Sequence, residues 1–165
     1  MMLVSLVRAG SEHLGWSAAC DRLVGAVPLH AQRMGPMHLE ISAYSCSRLF
    51  RRGKGPAQEK VCCAAKVLLH HGTNRAERFV PRSLLNFFVA LERILGPVEV
   101  QPLASAVARS LDRCDTLQSC SLGDRYRAAL CLLRAGKEHL QAARVLIDPS
   151  TWQQLSPHAR RALAR

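Results

Sequence analysis

Two adjacent cysteines, Cys62 and Cys63, precede two adjacent histidines, His70 and His71, in the stretch KVCCAAKVLLHH. Cysteine and histidine are the side chains of zinc sites, where every donor lies about 2.0–2.3 Å from the metal. The spacing is wrong for that chemistry. Two ligands on one helix share a face at i and i+4, and four residues after Cys62 stands Lys66. Cys63 and His70 would lie about 10 Å apart along the axis at ~1.5 Å per residue. Cys114 and Cys120 also lack the short separation of a zinc knuckle. Neither a metal site nor a cofactor is expected. Cys62 and Cys63 read instead as small apolar residues where helices approach closely.

Other catalytic chemistry finds no better support. The segment GKGP (Gly53–Pro56) has a lysine between glycines, but neither the spacing of a phosphate loop nor a following Ser or Thr. No G-x-S-x-G nucleophile turn occurs, and of the scattered acidic residues only Asp112 and Asp115 are close enough to share a helix face. The expectation is a protein that is not an enzyme, with no catalytic residue to name.

The elements that would position these residues are legible from an internal repeat. LVRAGSEHL (Leu6–Leu14) returns as LLRAGKEHL (Leu132–Leu140), identical at seven of nine positions. Gly10 and Gly136 lie 126 residues apart, which divides into three steps of about 42, a period typical of helical repeats. Gly53 and Gly96 stand close to the two intermediate positions. A glycine accepts the left-handed C-cap conformation, and Ser11, Pro56 and Pro97 behind these turns suit a helix start. Each glycine therefore marks a turn between a first and a second helix, with Gly136 expected in the left-handed cap.

Apolar spacing agrees. Leu84, Phe88, Leu91 and Leu95 recur at helical intervals, as do Tyr126, Ala129, Leu130 and Leu133, and Val100, Leu103, Ala104, Val107 and Leu111 form a third stripe. Tyr44, Phe87 and Tyr126 sit nine or ten residues before successive turns and are expected in the core. The fold expected is all-α: one helical-repeat domain over 1–165, an α-solenoid of about four stacked hairpins. The hairpins fall at approximately 1–27, 37–71, 82–113 and 123–147. A terminal helix over 157–165 opens with Ser156 as N-cap and Pro157 at its first position.

The charge balance bears on partners. The formal net charge is +11 and the pI about 10.1, which favours a polyanion. Nineteen of the 23 basic Lys and Arg residues are arginine, the better fork for phosphate and the better stacking partner for bases. Arg8, Arg51, Arg52, Lys54, Arg134 and Lys137 flank the glycine turns. Stacked turns line up along one edge, so these six are the candidate RNA-binding residues, with a gap at the Gly96-Pro97 turn. Arg33, Arg75, Arg78, Arg82 and Arg113 flank the opposite turns, and Arg160, Arg161 and Arg165 close the chain. Seven cysteines, an odd number placed within helical patterns, favour a reducing intracellular compartment over a disulfide framework. The opening MMLVSLVRAG lacks the flanks of a secretory signal, and no apolar run reaches the ~20 residues of a membrane span.

The hairpin carrying RAG-[SK]-EHL at its turn, with small Ala, Ser and Cys inside the helices and a basic surface, resembles the degenerate helical-hairpin repeats of organellar RNA-binding proteins. These include the octotricopeptide and heptatricopeptide families often found with FAST-kinase-like or RAP domains. The resemblance implies RNA binding in a mitochondrial or plastid ribonucleoprotein, such as an organellar ribosome or an RNA-processing complex, with its other proteins as further partners. A period near 42 also suits HEAT and armadillo repeats, so the alternative expectation is a protein–protein scaffold.

Overall fold

The computed structural model describes residues 18–112, 117 and 119–164. The expected first helix over 1–9, with Arg8 and Gly10, lies outside the described residues, as do Arg113, Cys114 and Arg165. Among the described residues nine α-helices run in order: α1 Ala18–His30, α2 Pro36–Phe50, α3 Pro56–Thr73, α4 Pro81–Leu95, α5 Gln101–Asp112, α6 Leu122–Ala135, α7 Leu140–Leu146, α8 Pro149–Gln154 and α9 Pro157–Leu163. Short 3-10 turns occur at Ala31–Arg33, Ala76–Arg78 and Lys137–His139, and the described residues contain no strand.

Local chemistry explains where these helices begin. Proline occupies the first turn of α2, α3, α4, α8 and α9, where its missing N–H costs nothing. Ser121, Asp148 and Ser156 accept hydrogen bonds from the backbone N–H three residues on, capping α6, α8 and α9. Helix α8 lies outside the four expected hairpins, and its six residues are too few to show a periodic stripe. It opens with Asp148 as N-cap and Pro149 in its first turn.

Helix α4 is the centre of the molecule. Leu84, Leu85, Phe87, Phe88 and Leu91 are almost wholly buried. α4 packs on α2 to one side and on α6 to the other, and also touches α3 and α5. In parallel, α1 packs on α3, α3 on α5, and α5 on α7. Close approach follows from side-chain size. Helix α2 presents Ser42, Ala43, Ser45, Cys46 and Ser47 as buried residues, and α3 presents Ala64, Ala65 and Gly72. The stripe of α5 is where its spacing put it, with Val100, Leu103, Ala104, Val107 and Leu111 all buried. In α6 the buried face is rotated: Ala128, Ala129, Cys131 and Leu132 are inside, while Tyr126, Leu130 and Leu133 are half-buried.

Polar ties between helices repeat the spacing of the sequence motif. Lys60 Nζ reaches Asp21 Oδ2 across 39 residues, and Arg75 donates to the carbonyls of Met34 and Gln32 across 41 and 43. Ser83 and Asn86 both donate to the Glu40 carboxylate across 43 and 46, and Arg134 Nη1 meets Glu92 Oε1 at 3.3 Å across 42.

The glycine turns differ from expectation in one respect. Gly96 has a φ of +84°, and Gly55, rather than Gly53, takes positive φ in the α2–α3 turn. Gly136 is not left-handed: its φ of 164° and ψ of 156° are extended backbone open to any residue. The α6–α7 connection reverses through the 3-10 turn Lys137–His139, which removes the need for a left-handed residue. A pair of substitutions separates the two cases. Gly96→Ala should cost about 1–3 kcal/mol, since φ +84° with ψ 170° is glycine territory. A Cβ on Gly136 meets only the Glu138 carboxylate, the far end of a mobile side chain. Gly136→Ala should therefore stay within about 0.5 kcal/mol of the parent in urea unfolding. Equal costs at the two positions would contradict the backbone described.

Candidate nucleic-acid interface

The cysteine–histidine stretch lies on α3. Cys63 is exposed, Cys62 is half-buried, and His70 and His71 occupy the last helical turn with ring centroids 5.1 Å apart. His71 is held below the usual histidine range by burial, then by the neighbouring charges of His70 and Arg75. Among the described residues no three Cys, His, Asp or Glu side chains converge as a metal-ligand set. Burial pushes the thiol of Cys46 up to about 12, and burial followed by the Glu92 charge does the same for Cys131. Thiols that remain protonated are poor nucleophiles. At pH 8 a thiol-specific dye should label Cys63 quickly in the folded protein, and Cys46 and Cys131 only on unfolding. Prompt labelling of the buried pair would refute their placement.

Of the six cations expected to meet RNA, Arg8 lies outside the described residues and the other five fall at two turns. Arg51 caps the end of α2, Arg52 and Lys54 follow in the α2–α3 turn, and all three are exposed. The backbone N–H groups of Arg52 and Gly53 both donate to Leu49 O, which folds the turn back onto the helix end. Positive charge suits that end, where carbonyls point outward. Arg134 and Lys137 are exposed on either side of Gly136. Arg134 has a second duty, because Glu92 is only 6% exposed and this guanidinium is its ion-pair partner. Removing Arg134 would leave a buried carboxylate without its counter-charge, so it is a poor probe of binding.

The structure adds a cation that adjacency to glycine did not reveal. Arg93, three residues before Gly96 on α4, is exposed and has Arg51 and Arg127 as electrostatic neighbours. Its guanidinium is held below the ordinary arginine range, first by partial burial and then by those two positive charges. A cation therefore does stand near the third glycine turn, three residues inside the helix rather than beside the glycine. The signal was available in the sequence, since Arg51, Arg93 and Arg134 all fall two or three residues before their turn glycines.

Beside these arginines lies a cleft of about 500 Å³ lined by α2, α4 and α6, with Glu40, Tyr44, Asn86, Arg93, Asp124 and Arg127 among its walls. Tyr44 corrects the core expectation. It is 48% exposed, because the residues around it on α2 that meet α4 are the small Ala43, Ser45, Cys46 and Ser47. The Arg48 guanidinium stands 6.0 Å from the centre of its ring, the outer limit of a cation–π contact. Phe87, the same distance before Gly96, is fully buried, and Tyr126 is half-buried.

The opposite turns hold arginines with structural ties. Arg75 bonds two carbonyls of the α1–α2 connection at 2.7 and 2.5 Å, and Arg82 Nε lies 3.8 Å from Asp124. Arg75, Arg78 and Arg109 also line a second cleft of about 440 Å³, whose aromatic, Phe79, is 6% exposed and turned to the core. Near the end of the chain, Arg160 Nε and Arg161 Nε donate to the carbonyls of Leu155 and Pro157. Among the described residues, no helix is long and apolar enough to cross a membrane. No protein-family profile, curated protein or solved structure matches the chain.

Proposed function

We propose that this chain is a non-catalytic RNA-binding protein built as an α-solenoid of stacked helical hairpins, working in an organellar, mitochondrial ribonucleoprotein such as the mitoribosome or an RNA-processing complex. The observation that carries the RNA reading is the gathering of Arg51, Arg93 and Arg127 from three helices beside an exposed tyrosine. Like charges brought together weaken the folded state, and a polyanion relieves that repulsion. Single-stranded nucleic acid is held by this pairing of cations that follow the backbone with aromatic faces that take bases. The solenoid reading is supported by the succession α2–α4–α6, the parallel succession α1–α3–α5–α7, and ties that recur at 39–46 residues. The compartment rests on the resemblance of the repeated RAG-[SK]-EHL hairpin to organellar RNA-binding repeats.

The deciding experiment is binding of a labelled single-stranded RNA by the purified chain over a salt series. Affinity should fall steeply with salt, with a slope of about 0.7 per phosphate contact. A second reading, a HEAT- or armadillo-type protein scaffold, draws on Leu29, Met37 and Val80, large apolar residues exposed around the opposite turns. Absence of RNA binding at low salt would favour it.

A further inference from the structure

A guanidinium cluster holds any polyanion, but the cleft beside it has features that phosphate binding does not need. Its walls carry an exposed aromatic face, a carboxamide and the carboxylates of Glu40 and Asp124 in addition to the cations. The polar groups are braced. Glu40 accepts from Ser83 Oγ through one oxygen and from Asn86 Nδ2 at 3.1 Å through the other. Asn86 is thereby held through Nδ2, and a carboxamide so held still has a second amide hydrogen to donate and an oxygen to accept. Arg127 is braced as well, with Nε on Gly123 O at 3.0 Å and Nη2 on Asp124 Oδ1 at 2.6 Å. These bonds commit two of the five donors that a guanidinium carries.

We propose that this cleft is a nucleobase subsite, which takes one unstacked adenine of a single-stranded RNA on the Tyr44 ring, with the flanking phosphate held by Arg93 and Arg127. The inference rests on the RNA-binding reading above and narrows it to a base and a place. Size permits it, since clefts of about 300–1,000 Å³ take small-molecule ligands. Stacking on a tyrosine is indifferent to sequence, so any choice of base must come from the polar wall. A carboxamide pairs in bidentate fashion with an amine donor beside a ring-nitrogen acceptor, a pattern that adenine and cytosine present and uracil does not, and of the two adenine offers the larger stacking face. The Glu40 carboxylate next to it accepts from an exocyclic amine and repels a carbonyl oxygen. Adenine presents the amine, whereas uracil presents a carbonyl at the equivalent place and stacks over a smaller area.

The test uses the full chain and two labelled 12-nucleotide probes, oligo(A) and oligo(U), followed by fluorescence anisotropy at several salt concentrations. The parent chain should prefer oligo(A) by about fivefold or more. Tyr44→Leu keeps an apolar side chain at a half-exposed site but removes the ring face. It should weaken oligo(A) about tenfold, in line with base–aromatic stacking, with the salt slope unchanged and a melting temperature close to that of the parent. Tyr44→Trp should restore the affinity. Equal affinity of the parent for the two probes overturns the subsite, and needs no variant to be seen. Unchanged oligo(A) binding by Tyr44→Leu also overturns it. In both cases salt-sensitive binding would still stand, so the RNA reading would survive. Failure of the parent to bind either probe at low salt overturns both.

Discussion

Replacing Gly72 with valine should lower the unfolding free energy by about 3 kcal/mol, the upper end of what overpacking a core costs. Gly72 is buried near the end of α3, and a Cβ placed on it would run into the Cε1 and Cζ atoms of Phe87. Phe87 has little room to give way. It is fully buried on α4, and Phe79 stands behind it with ring centroids 5.2 Å apart. The bare backbone of one helix is thus the seat for an aromatic ring of the next. Phe87→Ala should itself cost about 3–5 kcal/mol through the lost burial and the cavity. The two changes should not add. With the ring gone, the valine enters vacated space, and the double variant should be more stable than the sum predicts by about 1–3 kcal/mol. Urea midpoints at constant m-value measure all four proteins on one scale. Strict additivity would mean that Gly72 and Phe87 are not in contact.

Changing Arg51, Arg52 and Lys54 together to glutamine should weaken single-stranded RNA binding roughly a hundredfold at 0.1 M salt. This figure takes three phosphate contacts, each adding about 0.7 to the salt slope, one decade below 1 M. The slope of log K against log salt should fall by about 2. Unrelated RNA sequences should be affected alike, because phosphate contacts carry no base information. Stability should change little, since exposed charges at a helix end contribute about 0.3–1 kcal/mol each. Arg93→Gln gives the sharper contrast. The charged form of Arg93 is disfavoured in the folded protein by partial burial and by Arg51 and Arg127. Removing that charge should leave stability equal or raised while RNA binding falls. A variant that gains stability and loses affinity identifies a cation kept for its partner. Unchanged affinity and salt slope in both variants would place the RNA surface elsewhere or remove it.

Much of the architecture can be read from residue order because it depends on local chemistry. Proline in the first turn, serine or aspartate at the cap, and apolar residues at helical intervals act within a few positions of one another. They mark α2, α3, α4 and α9 to within two residues. The same order carries the period of about 42, and the ties Glu40–Ser83 and Glu92–Arg134 recur at that spacing in space. The excess of positive charge is likewise a property of the chain alone.

What the sequence could not decide is which face of each helix meets its neighbour. Tyr44 and Phe87 occupy matching places before their turns, yet one is half-exposed and the other buried, because α4 is packed by α2, α3, α5 and α6 while Tyr44 borders an open cleft among the described residues. The backbone at Gly136 follows the same rule. A glycine closing an apolar helical stretch suggests a left-handed cap, but the 3-10 turn that follows Gly136 settles the conformation as extended. The neighbours of Arg93 come from α2 and α6, 42 residues before it and 34 after, so no local window contains them. Short-range rules place the helices. Only their packing decides which cations stand together, which carboxylate pairs with Arg134, and which aromatic ring remains open to a partner.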